Sequence, residues 1–109
     1  MAYSLAERQA LLRIARESVR CAVSGAPYSP PTAVDATRQP AAVFVTLRTG
    51  EGHLRGCIGT VEAVEPAAQA VANMARSAAL HDPRFQRVRP QEVPDLAIQV
   101  SVLTPAEPI

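Results

Sequence analysis

A domain of mixed helix and strand is predicted by this sequence, on three observations. Two stretches, Leu5–Val23 and Pro66–Leu80, repeat apolar residues at helical spacing. Two further runs, Ala41–Thr49 and Leu54–Thr60, flank Gly50-Glu51-Gly52-His53, the pattern of a β-hairpin with a slightly long loop. A last run alternates strictly, Leu96, Ile98, Val100 and Val102 against Ala97, Gln99 and Ser101, and reads as a third strand with one buried face. With 109 residues, 48% of them apolar, the chain can bury one hydrophobic core, and 1–109 is read as a single domain.

The first helix opens at Ser4. Ser4 and Glu7 have capping-box spacing, so each side chain can take a free backbone N–H of the other. Leu11, Ala15, Val19, Ala22 and Val23 form the apolar stripe, with Leu12 alongside. Arg13, Arg16, Glu17 and Arg20 lie mostly outside it. Gly25 is placed to end the helix in a left-handed conformation, and Cys21 reads as a small core residue. Residues 26–40 form a connector broken by Pro27, Pro30, Pro31 and Pro40 and are expected to wrap the surface.

In the first hairpin strand Val43, Val45 and Leu47 share one face. The second strand, Leu54-Arg55-Gly56-Cys57-Ile58-Gly59-Thr60, is unusual. Glycine weakens a strand, and its presence points to a bulge or to close approach by backbone or ligand. If the run is regular, Leu54, Gly56 and Ile58 face the core, while Arg55, Cys57 and Gly59 face the other way. A guanidinium and a thiol would then stand side by side with no bulk at Gly59. His53 at the turn is expected to be exposed.

The second helix has Pro66 at its first position and a stripe of Val71, Met74, Ala75, Ala78 and Ala79; the alanines let it lie close against a sheet. His81-Asp82-Pro83-Arg84-Phe85 ends it, because proline cannot continue a helix and restrains the residue before it. Asp82 and Arg84 are expected to form a local ion pair or turn clamp, with Phe85 as an apolar anchor. Arg87, Arg89 and Pro90 continue the loop.

Composition excludes several function classes. A net charge of +1, with no basic patch interleaved with aromatics, gives no electrostatic case for nucleic acid or an anionic membrane. All eleven cations are arginine, a coding bias that points to a bacterial source rather than to phosphate recognition. Cys21 and Cys57 make no disulfide framework, and with neither a signal-peptide pattern nor an apolar run of spanning length, a cytoplasmic location with reduced thiols is expected. No CxxC or HxxxH spacing supports a metal site, and no cofactor motif is present.

Three motifs stand in order: Leu54–Thr60, Asp82-Pro83-Arg84-Phe85, and Ser101-Val102-Leu103-Thr104-Pro105 with Glu107-Pro108-Ile109. Together they resemble the AMMECR domain family, and in particular its AmmeMemoRadiSam system protein A-like members in bacteria and archaea. The resemblance covers nearly the whole chain from Ser4. It implies an α+β fold, an antiparallel β-sheet with helices packed against it, in two subdomains. It also implies polypeptide beyond this length, so that 1–109 is expected to be the N-terminal portion of the family fold and to lack its C-terminal part. Memo-like and radical S-adenosylmethionine proteins are implied as partners. No reaction is.

Three readings of the 54–60 motif stay open. As a binding module, Arg55, Gly56, Gly59 and Thr60 would hold a small molecule or peptide, with Cys57 lining the pocket. As an enzyme, Cys57 would be the nucleophile, with His81 and Asp82 as base and orienter and with the glycine N–H groups meeting an oxyanion. As a structural element, the glycines would serve close packing, with Cys57 against a helix. Of the three, a binding module is the expectation.

Overall fold

The structure, a computed structural model, describes residues 3–31 and 35–103. Residues 32–34 of the connector, and the Thr104-Pro105 and Glu107-Pro108-Ile109 parts of the third motif, lie outside the described residues.

Helix α1 spans Leu5–Ser24. Its start is the expected reciprocal cap: the Glu7 N–H donates to Ser4 Oγ at 3.1 Å, and the Ser4 N–H donates to Glu7 Oε1 at 2.8 Å. Its end is the expected glycine, Gly25 at φ 76°, a region other residues enter only with strain. Leu11, Ala15, Val19 and Ala22 are buried as the spacing predicts. Leu12 is not; it stands outside the stripe and is 42% exposed. The stripe also contains Ser18, whose hydroxyl donates to the Ala72 carbonyl at 2.6 Å and so ties the two helices together.

Strands β1 (Ala42–Arg48), β2 (Leu54–Gly59) and β3 (Ala97–Leu103) form one antiparallel sheet in the order β2-β1-β3. Between β2 and β3 runs helix α2, Ala67–Leu80. Pro66, expected inside this helix, is its N-cap, a one-residue difference. Both helices cover the same face of the sheet. α2 lies over β1 and β2, and α1 lies over α2 and toward β3. The fold is α+β.

The core follows from the alternation. Val43, Val45 and Leu47 on the central strand are fully buried against Val71, Ala75 and Ala78 of α2 and Val19 of α1. Each of the larger side chains stabilises the fold by about 1.5–3 kcal/mol relative to exposure. On β3 the same face carries Ile98, Val100 and Val102, which are only half-buried. Short 3-10 helices at Asp35–Arg38 and Pro90–Asp95 occupy stretches read from sequence as irregular. Arg16, on the polar side of α1, anchors the second of them by donating to the carbonyls of Val93 (3.4 Å) and Leu96 (2.8 Å).

Candidate functional site

The β2 motif is not a regular strand. Leu47 pairs with Gly56, but Arg48 pairs with Leu54, so the strand bulges at Arg55. The bulge corrects the predicted faces. Leu54, expected beside Gly56 and Ile58 on the core face, shares a register position with Arg48 on the opposite face. Gly56 and Ile58 do face the helices, opposite Leu47 and Val45. A Cβ at Gly56 would drive into the backbone carbonyl of Ala78, so this glycine is required by close approach of α2.

Among the described residues no hydrogen bond joins the Arg55 guanidinium to Cys57. The Arg55 guanidinium reaches the 86–92 segment instead: Nε and Nη2 donate to Glu92 Oε1 and Oε2 at 3.0 and 3.1 Å, Nη1 donates to the Gln86 carbonyl at 2.7 Å, and Nη2 to that of Arg87 at 3.1 Å. A planar fork that donates to both carboxylate oxygens and to two carbonyls is a use to which arginine alone is suited. Those bonds from Arg55, aided by the Arg89 N–H, hold the Glu92 carboxyl below its ordinary range, burial acting the other way. Arg55 thus pins the loop between α2 and β3 to β2.

The Asp82-Pro83-Arg84-Phe85 motif works on the same strand, at its free edge. Asp82 is buried, and its Oδ2 accepts the Cys57 N–H at 2.9 Å. Arg84 Nη2 donates to the Cys57 carbonyl at 3.2 Å, and Arg84 also donates to Asp82 from its backbone N–H (3.0 Å), Nε (3.1 Å) and Nη2 (2.8 Å). The two side chains replace a neighbouring strand at Cys57. They satisfy its outward N–H and C=O and close this edge to further pairing. The expected clamp is present, and Phe85 sits under the Arg84 guanidinium, 5.4 Å from ring centre. Hydrogen bonds from Arg84 above all, helped by the Cys57 and Arg84 backbone N–H groups, hold the Asp82 carboxyl well below the usual carboxylate range against the opposing effect of burial.

Cys57 itself looks away from the helices. It pairs with Thr46, and its Sγ lies 3.1 Å from Thr46 Oγ1 in a hydrogen bond either atom could donate. Thr46 pairs in turn with Gln99, so thiol, hydroxyl and amide form a cross-strand row on the open face of the sheet. Beside that row the Phe44 ring lies flat on Gly59, where any Cβ would clash with it. Cys57, Thr46 and Phe44 are partly exposed. Thr60 closes the motif as a local turn: its Oγ1 accepts from the Glu62 N–H at 3.2 Å.

The other named candidates are dispersed. His81 caps the C-terminus of α2 with its backbone N–H on the Ser77 carbonyl, and its side chain is exposed. Among the described residues no hydrogen bond joins its imidazole to Cys57 or Asp82. His53 is exposed in the turn, as expected. An open depression of about 340 Å³ lies at the turn end of the hairpin between Thr49, Gly50, Glu51 and Glu92, Asp95, Leu96; Cys57 does not line it. Among the described residues no group of three or more His, Cys, Asp or Glu is placed to hold a metal, and Cys21 and Cys57 are both free thiols.

Thr46, Phe44 and Glu92 were not singled out from the sequence. Thr46 and Phe44 are visible only once the hairpin register is known. Glu92 had one signal, its three-residue spacing from Arg89 across Pro90, which is a helix-start pattern.

Against known proteins, the model of the AMMECR1 family matches residues 12–109. A protein of Methanothermobacter thermautotrophicus is 44% identical over 105 residues, covering 94% of this chain and 54% of that protein. One from Methanococcus aeolicus is 37% identical over 103 residues, covering 94% and 52%, and one from Thermotoga maritima is 42% identical over 73 residues, covering 66% and 42%. Relatives thus occur in archaea and in bacteria. The crystal structure of the uncharacterised protein PH0010 from Pyrococcus horikoshii superposes with a TM-score of 0.79 at 35% identity, over 87% of this chain and 50% of that one. The chain spans about half the length of the relatives it matches.

Proposed function

The chain belongs to the AMMECR1 family, and from that premise and the geometry of β2 we propose that it is a binding module whose ligand meets the open face of the sheet. The ligand would lie over Cys57, Thr46 and Gln99, with the Phe44 ring on Gly59 as an apolar wall and Thr60 at the end of the strand. A small molecule or a peptide fits such a surface: one aromatic platform, a row of short polar groups, and no charge at its centre.

One observation carries this reading. Three charged side chains at the motif are already bonded, Arg55 to Glu92 and the loop, Asp82 and Arg84 to each other and to the Cys57 peptide, while the Cys57 and Thr46 side chains remain partly exposed. The motif thus divides into an inward and edge half that holds the fold and an outward half that meets a partner. In this reading Gly56 and Arg55 shape the surface without touching the ligand. A nucleophilic Cys57 would need a base, and His81 makes no bond toward it. On the protein side, the partners we propose are the Memo-like and radical S-adenosylmethionine proteins implied by the family resemblance, met in the cytoplasm with both thiols reduced. The described residues contain no helix long and apolar enough to cross a membrane.

The test is a titration followed by amide NMR, using a Memo-like protein and, separately, a small-molecule fragment set. Binding that shifts the amides of Phe44, Thr46, Cys57, Gly59 and Gln99 supports the proposal. Shifts confined to the turn depression or to the helices would place the site elsewhere.

A further inference from the structure

The clamp at the β2 edge leaves two donors unused. The Thr60 N–H donates to the Val43 carbonyl, and along the same ladder Val45 pairs with Ile58 and Leu47 with Gly56. Those are the pairs that exchange hydrogen bonds. Cys57 and Gly59, paired with Thr46 and Phe44 at the alternate positions, therefore turn their backbone N–H and C=O away from β1. At Cys57 both outward groups are taken, the N–H by Asp82 Oδ2 and the C=O by Arg84 Nη2. The next outward group along the edge is the Gly59 N–H, and among the described residues nothing accepts it.

Arg84 holds the second donor. It grips the two Asp82 oxygens through Nε and Nη2 and reaches the Cys57 carbonyl with Nη2. Nη1, the nitrogen outside that bidentate edge, has no partner among the described residues. The side chain is 56% exposed, yet it is fixed by Asp82 on one edge and by the Phe85 ring, 5.4 Å from Cζ to the ring centre, on one face. A guanidinium held in this way loses little freedom when an anion arrives. The strands themselves supply no competing acid, since β1, β2 and β3 contain neither Asp nor Glu.

We propose that the ligand of the open face is a carboxylic acid with an apolar or aromatic body, its carboxylate set between the Gly59 N–H and Arg84 Nη1. The inference rests on the binding-module reading and names the ligand class for it. Two neighbouring donors match the two oxygens of a carboxylate, and the charge on one of them strengthens both bonds. A phosphate would bring a second negative charge to a site whose one cation is already shared with Asp82 and whose next turn exposes Glu62. A carboxylate brings only one. The body of the ligand then runs over the open face against the Phe44 ring, which lies on Gly59, toward Cys57 and Thr46. Glycine at 59 thus serves the site twice: it leaves the strand edge bare of a side chain, and it seats the ring that walls the ligand.

The test is an NMR titration of the full chain, read at the backbone amides and the arginine Nε–H groups, with sodium benzoate and with benzamide, which has the same shape without the charge. A second arm uses N-acetyl-glycyl-phenylalanine with a free C-terminus, and the tighter of the two acids tells a free organic acid from a peptide C-terminus. The expected result is saturable shifts of the Gly59 amide and the Arg84 Nε–H with an acid at millimolar concentration. Benzamide is expected to bind about tenfold more weakly than benzoate, and Arg84→Met to weaken benzoate by a similar factor. Equal affinity for benzoate and benzamide, shifts that sodium chloride reproduces at the same ionic strength, no saturable shift with either acid, or unchanged benzoate binding in Arg84→Met would each overturn the proposal. Its failure is separable from that of the binding-module reading. If benzoate and benzamide move Thr46, Cys57 and Gln99 equally, the open face binds but not through a carboxylate; if benzoate moves Gly59 and Arg84 alone, the carboxylate site stands and the open face is not where the ligand lies. If Arg84→Met fails to fold, the comparison of benzoate with benzamide on the unmodified chain decides alone.

Discussion

Replacing Gly56 by alanine adds one methyl group where the structure has no room for it. The new Cβ would approach the Ala78 carbonyl carbon to 3.2 Å and its oxygen more closely still. Both atoms belong to the backbone of α2, which also packs on β1 and α1, so no side chain can swing aside to relieve the contact. Either α2 shifts outward or β2 leaves the ladder, and overpacking of this kind costs about 2–3 kcal/mol. For a domain near this size that is a fall in Tm of roughly 10–20 °C. Gly59→Ala is the internal control. Its Cβ meets the Phe44 ring, a partly exposed side chain that can rotate off the strand, so the expected loss is smaller, about 1 kcal/mol. Thermal and urea unfolding followed by circular dichroism would measure both. If Gly56→Ala is within about 0.5 kcal/mol of the parent, the range of ordinary surface changes, the close approach of α2 is not what requires glycine there. A larger effect at Gly59 than at Gly56 would contradict the same reasoning.

Three other expectations follow from the bonds around β2. Asp82→Asn keeps the shape but removes the charge that binds Arg84 and the Cys57 N–H, and is expected to cost about 2–4 kcal/mol near neutral pH by urea denaturation. Because the folded carboxyl is held below its ordinary value of 3.8, its stabilisation is complete above that value and is lost as pH falls below it toward the lower folded value. The gap between parent and Asp82→Asn should therefore close in acid; a gap that is constant from neutral pH down to acid would show that the clamp is not ionic. Arg55→Lys keeps the charge but cannot span both Glu92 oxygens and the carbonyls of Gln86 and Arg87, and should cost about 1–3 kcal/mol with faster amide exchange over residues 86–92. Unchanged exchange there would remove Arg55 from its pinning role.

What could be read from the sequence was what is local. The Ser4–Glu7 cap, the Gly25 stop, the Val43-Val45-Leu47 stripe and the β3 alternation each depend on residues within one element, and all stand in the structure. The motif strand was readable only by half. Two glycines in one strand announced a bulge or a close approach, and both occur, but regular alternation could not say that Arg55 is the extra residue, and so it put Leu54 on the wrong face. The partner of Arg55 lies 37 residues away in a segment read as loop, and the pairing of Asp82 with the Cys57 N–H spans 25. Neither contact leaves a periodic trace. The same applies to Ser18 and Arg16, polar residues on α1 whose bonds to Ala72, Val93 and Leu96 exist only once the helix is docked.

The division of the motif into a structural half and an exposed half is tested most directly at Cys57. With Cys21 changed to Ser, the folded protein is treated with iodoacetamide and labelling of Cys57 is followed by mass spectrometry beside a small-molecule thiol at the same pH. Partial exposure and the hydrogen bond to Thr46 predict labelling in the folded state that is slowed but not blocked. Binding of a ligand to the open face should then suppress it. No labelling until the protein is unfolded would contradict the account and make Cys57 a packing residue, and labelling much faster than the small thiol would contradict it in the other direction, by showing an activated nucleophile.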